Sequence, residues 1–198
     1  MRTRIADTAA RLFAEKGYDA VTVLDVARAA DVAEKTVYNY FPTKEHLVLD
    51  QDEEEITRIV AALRQRPAGT SPAEVIRRDV LGVVAGLGRI PPDQIRGIVG
   101  YLATVNPGVR RSCLAMIDRH ADQIHRALLD EYPRTVGEAF RIRLRAYSVR
   151  LAWVYLAVID ESGRRFARGD SPRAVVTRLR PIVTALIDDI EATPPPSP

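Results

Sequence analysis

Lys35, Thr36, Tyr38 and Asn39 lie within five positions of one another, inside the stretch TVLDVARAADVAEKTVYNYFPTK that runs from Thr22 to Lys44. Their side chains suit a DNA duplex: lysine donates to guanine or phosphate, asparagine pairs with an adenine edge, threonine meets a thymine methyl and tyrosine reaches phosphate oxygen. On a helix turning about 100° per residue, Ala33, Val37 and Phe41 share one side, and Lys35 and Asn39 point directly away from it. Thr36 and Tyr38 flank that outer row, with Glu34 and Tyr40 at its margins. Nine residues at about 1.5 Å rise form a rod roughly 13 Å long, close to the width of a major groove. The geometry suits base-edge readout by a short recognition helix.

Other clusters carry less. Asp118, His120, Asp122 and His125 resemble a metal set, but the histidines stand about 140° apart around a helix and do not share one tetrahedral ion, so they read as polar-face histidines. Asp50, Asp52, Glu53, Glu54 and Glu55 fan around a helix axis and read as solvated surface. Cys113, the single cysteine, excludes an internal disulfide and reads as a small buried side chain. No nucleophile, base and orienter assemble, and no glycine loop cradles a phosphate. The expectation is no catalysis, no cofactor and no metal site.

These residues need helices to position them. Thr22 and Asp25 form a capping-box pattern that starts a helix at Val23. Ala33 to Phe41 forms the next, stopped by Pro42, and an earlier helix runs from about Thr3 to Lys16, ending at Gly17. Thr43 is the expected cap of a fourth helix from Lys44 to about Arg66. A lysine at a helix start implies an external anion for Lys44 to meet. Ser71-Pro72-Ala73-Glu74 opens a fifth helix to about Gly88, where Gly82, Gly86 and Gly88 permit close packing or leave room for a ligand. Pro91-Pro92 opens a sixth ending near Val105, and Asn106-Pro107 caps a seventh reaching about Tyr132.

The eighth helix, from about Thr135 to Arg168, and the ninth, from Pro172 to about Ala192 with a kink or break at Pro181, carry more apolar surface than one covered stripe requires. A two-fold homodimer through helices 8 and 9, forming a four-helix bundle, disposes of it. Strand-like alternation is nearly absent, so the chain reads as all-α, with about nine helices. No apolar run reaches the roughly 18 residues of a membrane span, and Met1 to Arg4 does not lead into a signal-peptide core. The expectation is a cytoplasmic protein with no membrane contact.

Residues 1 to 49 resemble the DNA-binding domain of the tetracycline-repressor (TetR) family. The matching residues are Leu12-Phe13-Ala14-Glu15-Lys16-Gly17-Tyr18, Thr22, Val26-Ala27, Val32, Thr36-Val37-Tyr38, Tyr40-Phe41, Lys44-Glu45 and Leu47. The resemblance implies a helix-turn-helix head (1–46) and an effector-binding and dimerisation domain (47–192), and the proline-rich segment 193–198, with no core-forming content, is expected to be a disordered tail. The resemblance also implies DNA contacts by Thr22, Glu34, Lys35, Thr36, Tyr38, Asn39, Tyr40 and Lys44, with Thr22, Tyr40 and Lys44 on the phosphate backbone. It further implies a dimeric, ligand-responsive regulator, most often a repressor, on a partly palindromic operator, with a small-molecule effector among helices 4 to 8.

There are departures. Ala33 stands where the family often has a serine or threonine cap, Glu34 and Lys35 replace commoner residues, and the basic arm ahead of helix 1 is almost absent. The head is formally neutral, with seven Arg/Lys against seven Asp/Glu over residues 1 to 46, within a chain of net charge +3. Any basic surface must come from placement. Tyr101, Met116, His120, Phe140, Tyr147 and Trp153 are the candidate effector-binding side chains, with Arg96 a further polar anchor; core or dimer packing is the competing reading for the bulky ones. A different class stays open: a dimeric protein-binding adaptor whose helix-turn-helix no longer reads DNA.

Overall fold

The computed structural model describes residues 1–49, 52–133 and 135–194. The described residues form nine α-helices and two 3-10 turns. Three helices make the head: α1 (Arg2–Lys16), α2 (Val23–Ala29) and α3 (Glu34–Tyr40). Gly17 ends α1 at φ 84°, a left-handed conformation that a Cβ disfavours. Thr22 caps α2 reciprocally: its hydroxyl accepts from the Asp25 N–H, and the Asp25 carboxylate accepts from the Thr22 N–H. Ala33 precedes α3 without any side-chain cap. Ile5, Ala9, Phe13, Val26, Val37 and Phe41 close the head core.

The body comprises α4 (Asp52–Arg64), α5 (Pro72–Leu87), α6 (Val99–Val105), α7 (Pro107–Leu129), α8 (Glu138–Ala167) and α9 (Pro172–Glu191). Ser71 and Asn106 cap α5 and α7, as their sequence signals predict. Helix α8 packs on α6, α7 and α9, α5 also lies on α9, and α4 lies on α7 and α5. Arg77 ties α5 to α9 through Asp188 at 2.7 Å and Glu191 at 2.8 Å. Arg66 grips Glu131 with two nitrogens, joining the segment after α4 to the segment after α7.

Three elements differ from the periodicity reading. The expected continuous helix from Lys44 to Arg66 is divided: Lys44–Leu47 is a 3-10 turn and α4 begins at Asp52, with Asp50 and Gln51 outside the described residues. Thr43 does not cap; its hydroxyl meets His46 Nδ1 at 2.9 Å, and Leu47 buries into the head core. Lys44 therefore opens a four-residue 3-10 turn and not the expected long helix whose dipole would act on it. The sixth helix is divided likewise into a 3-10 turn, Pro92–Gly97, and α6. That turn presses on α1 so closely that a Cβ at Gly97 would stand 2.5 Å from the Ala10 carbonyl oxygen. Helix α9 runs through Pro181 without a break. Of the tail, residues 195–198 fall outside the described residues.

The boundary expected near residue 46 runs through a packed region. Leu102 and Ala103 of α6 and Val109 and Cys113 of α7 belong to the same apolar cluster as the head. The Asn106 side chain, besides capping α7, donates to Asp19 at 2.9 Å. Cys113 is fully buried in that cluster. At the other end of α6, the crossing with α8 is made by Gly100 and Gly163; a Cβ on Gly163 would overlap the Gly100 carbonyl and Thr104 Oγ1. Of the glycines ending α5, only Gly88 packs closely, 3.1 Å from Val176 by its added Cβ, while Gly82 meets open space. No helix among the described residues is long and apolar enough to cross a membrane.

Candidate nucleic-acid interface and the head–body cavity

Val37 is completely buried and Phe41 nearly so, which fixes the rotation of α3. Glu34, Lys35, Tyr38, Asn39 and Tyr40 are consequently exposed, and Thr36 is half-buried. Tyr38 and Tyr40 leave 46% and 43% of their surface accessible, much for aromatic rings that nothing in the head requires outside. The outer row is the one the helical wheel predicts.

Two of the residues assigned to the phosphate backbone are already engaged. The Thr22 hydroxyl lies 2.7 Å from Asp25 Oδ2 as donor while accepting from the Asp25 N–H, so its proton reaches a phosphate only by leaving the carboxylate. Lys44 turns towards the head: Nζ donates to the Tyr18 carbonyl at 2.5 Å and sits 4.0 Å from the centre of the Tyr18 ring. Burial lowers its pKa, against the raising influence of Asp19 and Glu45. An ammonium has three donors, so Lys44 retains capacity for an anion beyond its internal bond.

The body brings a side chain to the end of α3 that no pattern in the sequence indicated. Arg119 of α7 shares a recess with Asn39 and Tyr40 at the end of α3, together with Arg2, His46 and the acidic Glu53. The Arg2 guanidinium also lies over the Phe41 ring at 5.2 Å. Nothing in the sequence connects Arg119 with residues eighty positions earlier.

The candidate effector residues scatter. Met116 and His120 are buried and line a cavity of about 390 Å³ between head and body. The polar-face reading of His120 is thus corrected: only 3% of it is exposed, because α7 is covered on that side by the head and α8. Phe140 is core, edge-on to Tyr132 with centroids 4.7 Å apart. Tyr147 is core as well, its phenol pushed up to about 12 by burial. Tyr101 packs at the junction of the two apolar clusters, and Arg96 is exposed. Trp153 is 53% exposed on the outside of α8, so the effector reading of this tryptophan does not fit its position. Asp118 and Asp122 are both engaged by Arg145, at 3.3 and 2.7 Å.

The cavity recruits groups that no sequence pattern indicated. From the head come Ala6, Asp7 and Ala10 of α1 and the segment 47–49; from the body come Glu55, Val83, Ile98, Tyr155, Val158 and Ile159, among others. The Tyr155 hydroxyl donates to Asp79 at 2.7 Å, and Asp79 also accepts from Arg58 of α4. Burial, then the Asp79 charge, raise the Tyr155 pKa well above the usual phenol value, so it remains protonated. A slightly larger recess around Arg64, Arg66 and Glu131 is open to solvent and polar.

Residues 5–50 match the model for "Bacterial regulatory proteins, tetR family". It is the head of the chain, within residues 5–50, that resembles this family. The TetR family is made up of transcriptional regulators, not enzymes. Among similar curated proteins, the transcriptional repressor KstR of Rhodococcus jostii is 36% identical over 90 residues, which is 46% of this chain and 42% of KstR. The chain therefore spans less than half the length of that relative by sequence. Two solved TetR-family structures share the whole fold. A regulator from Mesorhizobium loti has a TM-score of 0.56 at 16% identity, over 97% of this chain and 95% of that one. The repressor FadR of Thermus thermophilus, in complex with lauroyl-CoA, has a TM-score of 0.51 at 20% identity, over 93% of each chain.

Proposed function

We propose that the chain is a DNA-binding transcriptional regulator, acting as a repressor, that places α3 in the major groove of a partly palindromic operator. The carrying observation is the face of α3 opposite Val37, where Lys35, Tyr38 and Asn39 stand exposed on a helix whose other side is fixed by the head core. Lys35 and Asn39 read base edges, Thr36 and Tyr38 flank them, Glu34 tunes the choice of bases, and Thr22, Tyr40 and Lys44 take the backbone. Arg2 and Arg119 stand beside the end of α3, in a recess that Glu53 also lines.

A single head covers one half-site, so the reading requires a homodimer. Helices α8 and α9 supply its surface. Ile142 and Trp153, eleven positions apart on α8 and hence on one face, are 61% and 53% exposed, and Ile182 of α9 is 39% exposed. Ala146 and Val149 continue the α8 stripe, as Ala185 and Leu186 continue that of α9. Pairing these stripes across a two-fold axis buries them in a four-helix bundle. Relatives named as repressors and a fold neighbour holding lauroyl-CoA support a switch in which a small molecule releases the operator.

Footprinting of the chain on the DNA flanking its own gene tests this reading. Two protected half-sites, one helical turn or a multiple apart, are expected, with affinity falling steeply as salt rises. Absence of any protected sequence, with binding no stronger than to random duplex, leaves the adaptor reading instead.

A further inference from the structure

We propose that the head-side end of α8 and α9, doubled across the two-fold axis, holds the phosphate backbone of the operator between its two half-sites. The inference rests on the dimeric DNA-binding reading and adds a second contact surface to it.

The course of the helices fixes which end this is. Helix α7 starts against the head, where Asn106 donates to Asp19, and its 23 residues carry the chain about 34 Å away. Helix α8 returns: Ile159 packs on the head cluster, and Gly163 crosses α6 at Gly100. Helix α9 starts on the head side, with Val176 against Gly88, and leaves for the far end, where Glu191 accepts from Ser71 at 2.8 Å.

Charge is sorted along this axis. Residues 162–187 hold six arginines and one carboxylate, Asp170, whereas 188–191 hold three carboxylates in four positions. Arg165 takes Asp170 at 3.2 Å. Arg168, Arg173, Arg178 and Arg180 are exposed and meet no carboxylate among the described residues. The macrodipole favours the opposite order: α9 has no acidic residue in its first turn and no basic one in its last. The far-end carboxylates have a use inside the protomer, since Arg77 takes Asp188 and Glu191. The head-side arginines have none.

The apolar stripes lead to the same place. Ile142, Trp153 and Arg164 follow at intervals of eleven along one face of α8, and Arg178 stands one turn before Ile182 on α9. Both heads must meet one duplex from the same side, so the two-fold axis runs between them and gathers the two head-side ends over the operator centre. There each arginine cluster faces its own copy, and like charge repels until a polyanion lies between. The duplex is the polyanion on that side. A head with seven basic against seven acidic residues over 1–46 leaves sequence-independent affinity to be supplied from elsewhere.

Salt titrations of binding, on the footprinted operator duplex and on a random duplex of equal length, test the assignment with the full chain. Arg168→Gln, Arg173→Gln and Arg178→Gln together should weaken both duplexes at least tenfold and flatten the salt slope by about two or more, with sequence preference, melting temperature and sedimentation unchanged. The corresponding triple lysine variant should stay within about threefold of the parent, because phosphate attraction needs the charge and not the guanidinium. Neutral methylphosphonate linkages placed between the half-sites should cost the parent at least tenfold and the glutamine variant less than about threefold. An unchanged slope in the glutamine variant, a lysine variant as weak as the glutamine one, or a parent indifferent to the neutral linkages overturns the proposal while leaving the operator reading of α3 in place. A parent with no sequence preference sinks that operator reading, and the random duplex then decides the basic surface: weaker binding by the glutamine variant upholds it, and equal binding overturns it.

Discussion

With its ammonium on the Tyr18 carbonyl and its charge over the Tyr18 ring, Lys44 braces the loop that follows α1, whereas Lys35 touches nothing that holds the head together. The two lysines should therefore separate in mutagenesis. Lys44→Ala is expected to lower urea-unfolding stability by about 1–2 kcal/mol, through the lost charged hydrogen bond and ring contact, and to weaken binding to all duplexes alike. Lys35→Ala should leave stability within about 0.5 kcal/mol of the parent, yet flatten discrimination among operator variants in a binding-site selection. A loss of sequence preference in Lys44→Ala but not in Lys35→Ala would invert the assigned roles. The outer face of α3 was legible from residue spacing alone, because Val37 and Phe41 dictate which side is covered. The internal engagement of Lys44 was not, since it depends on where the Tyr18 carbonyl comes to rest.

The helices have their own sensitivities. Hydrogen bonds from the Thr22 hydroxyl and then the Thr22 N–H hold the Asp25 carboxyl below its ordinary pKa. The stabilisation is present above the unfolded carboxylate pKa and is lost as pH falls through the depressed folded value. Asp25→Asn should remove that part of the acid dependence, seen as a smaller fall in the urea midpoint between neutral and strongly acidic buffer. At the α6–α8 crossing, Gly163→Ala forces a methyl into the Gly100 carbonyl. Overpacking costs about 1–3 kcal/mol, and thermal melting should show the loss, whereas a melt equal to the parent's would mean that the crossing relaxes freely. Caps at Thr22, Ser71 and Asn106 were readable because each is a local bargain within four residues. The divisions after Phe41 and at Ile98 were not. There Leu47 is drawn into the head core and the 92–97 turn is pressed on α1, both through contacts distant in sequence.

For the molecule as a whole, the unpartnered stripes on α8 and α9 make a specific demand. Trp153→Glu, at an exposed position, should spare the protomer fold while converting the particle to a monomer in sedimentation velocity. Operator affinity should then fall at least tenfold, because two half-sites are no longer engaged together. Dimers of unchanged strength would place the interface elsewhere. The same exposure that takes Trp153 out of an effector pocket commends it for this role.

Periodicity and caps alone determined an all-α chain, the order of its helices and the polar face of α3, because those depend on interactions a few residues apart. The surplus of apolar surface on the last two helices was equally visible, as a property of composition along each helix. Tertiary structure decided the rest: that α6 and α7 complete the head core, that Arg119 reaches the end of α3, and that Asp7, Glu55 and Tyr155 ring one cavity. Those groups come from helices far apart in the chain, and only the packing of the completed body against the head brings them within reach of one another.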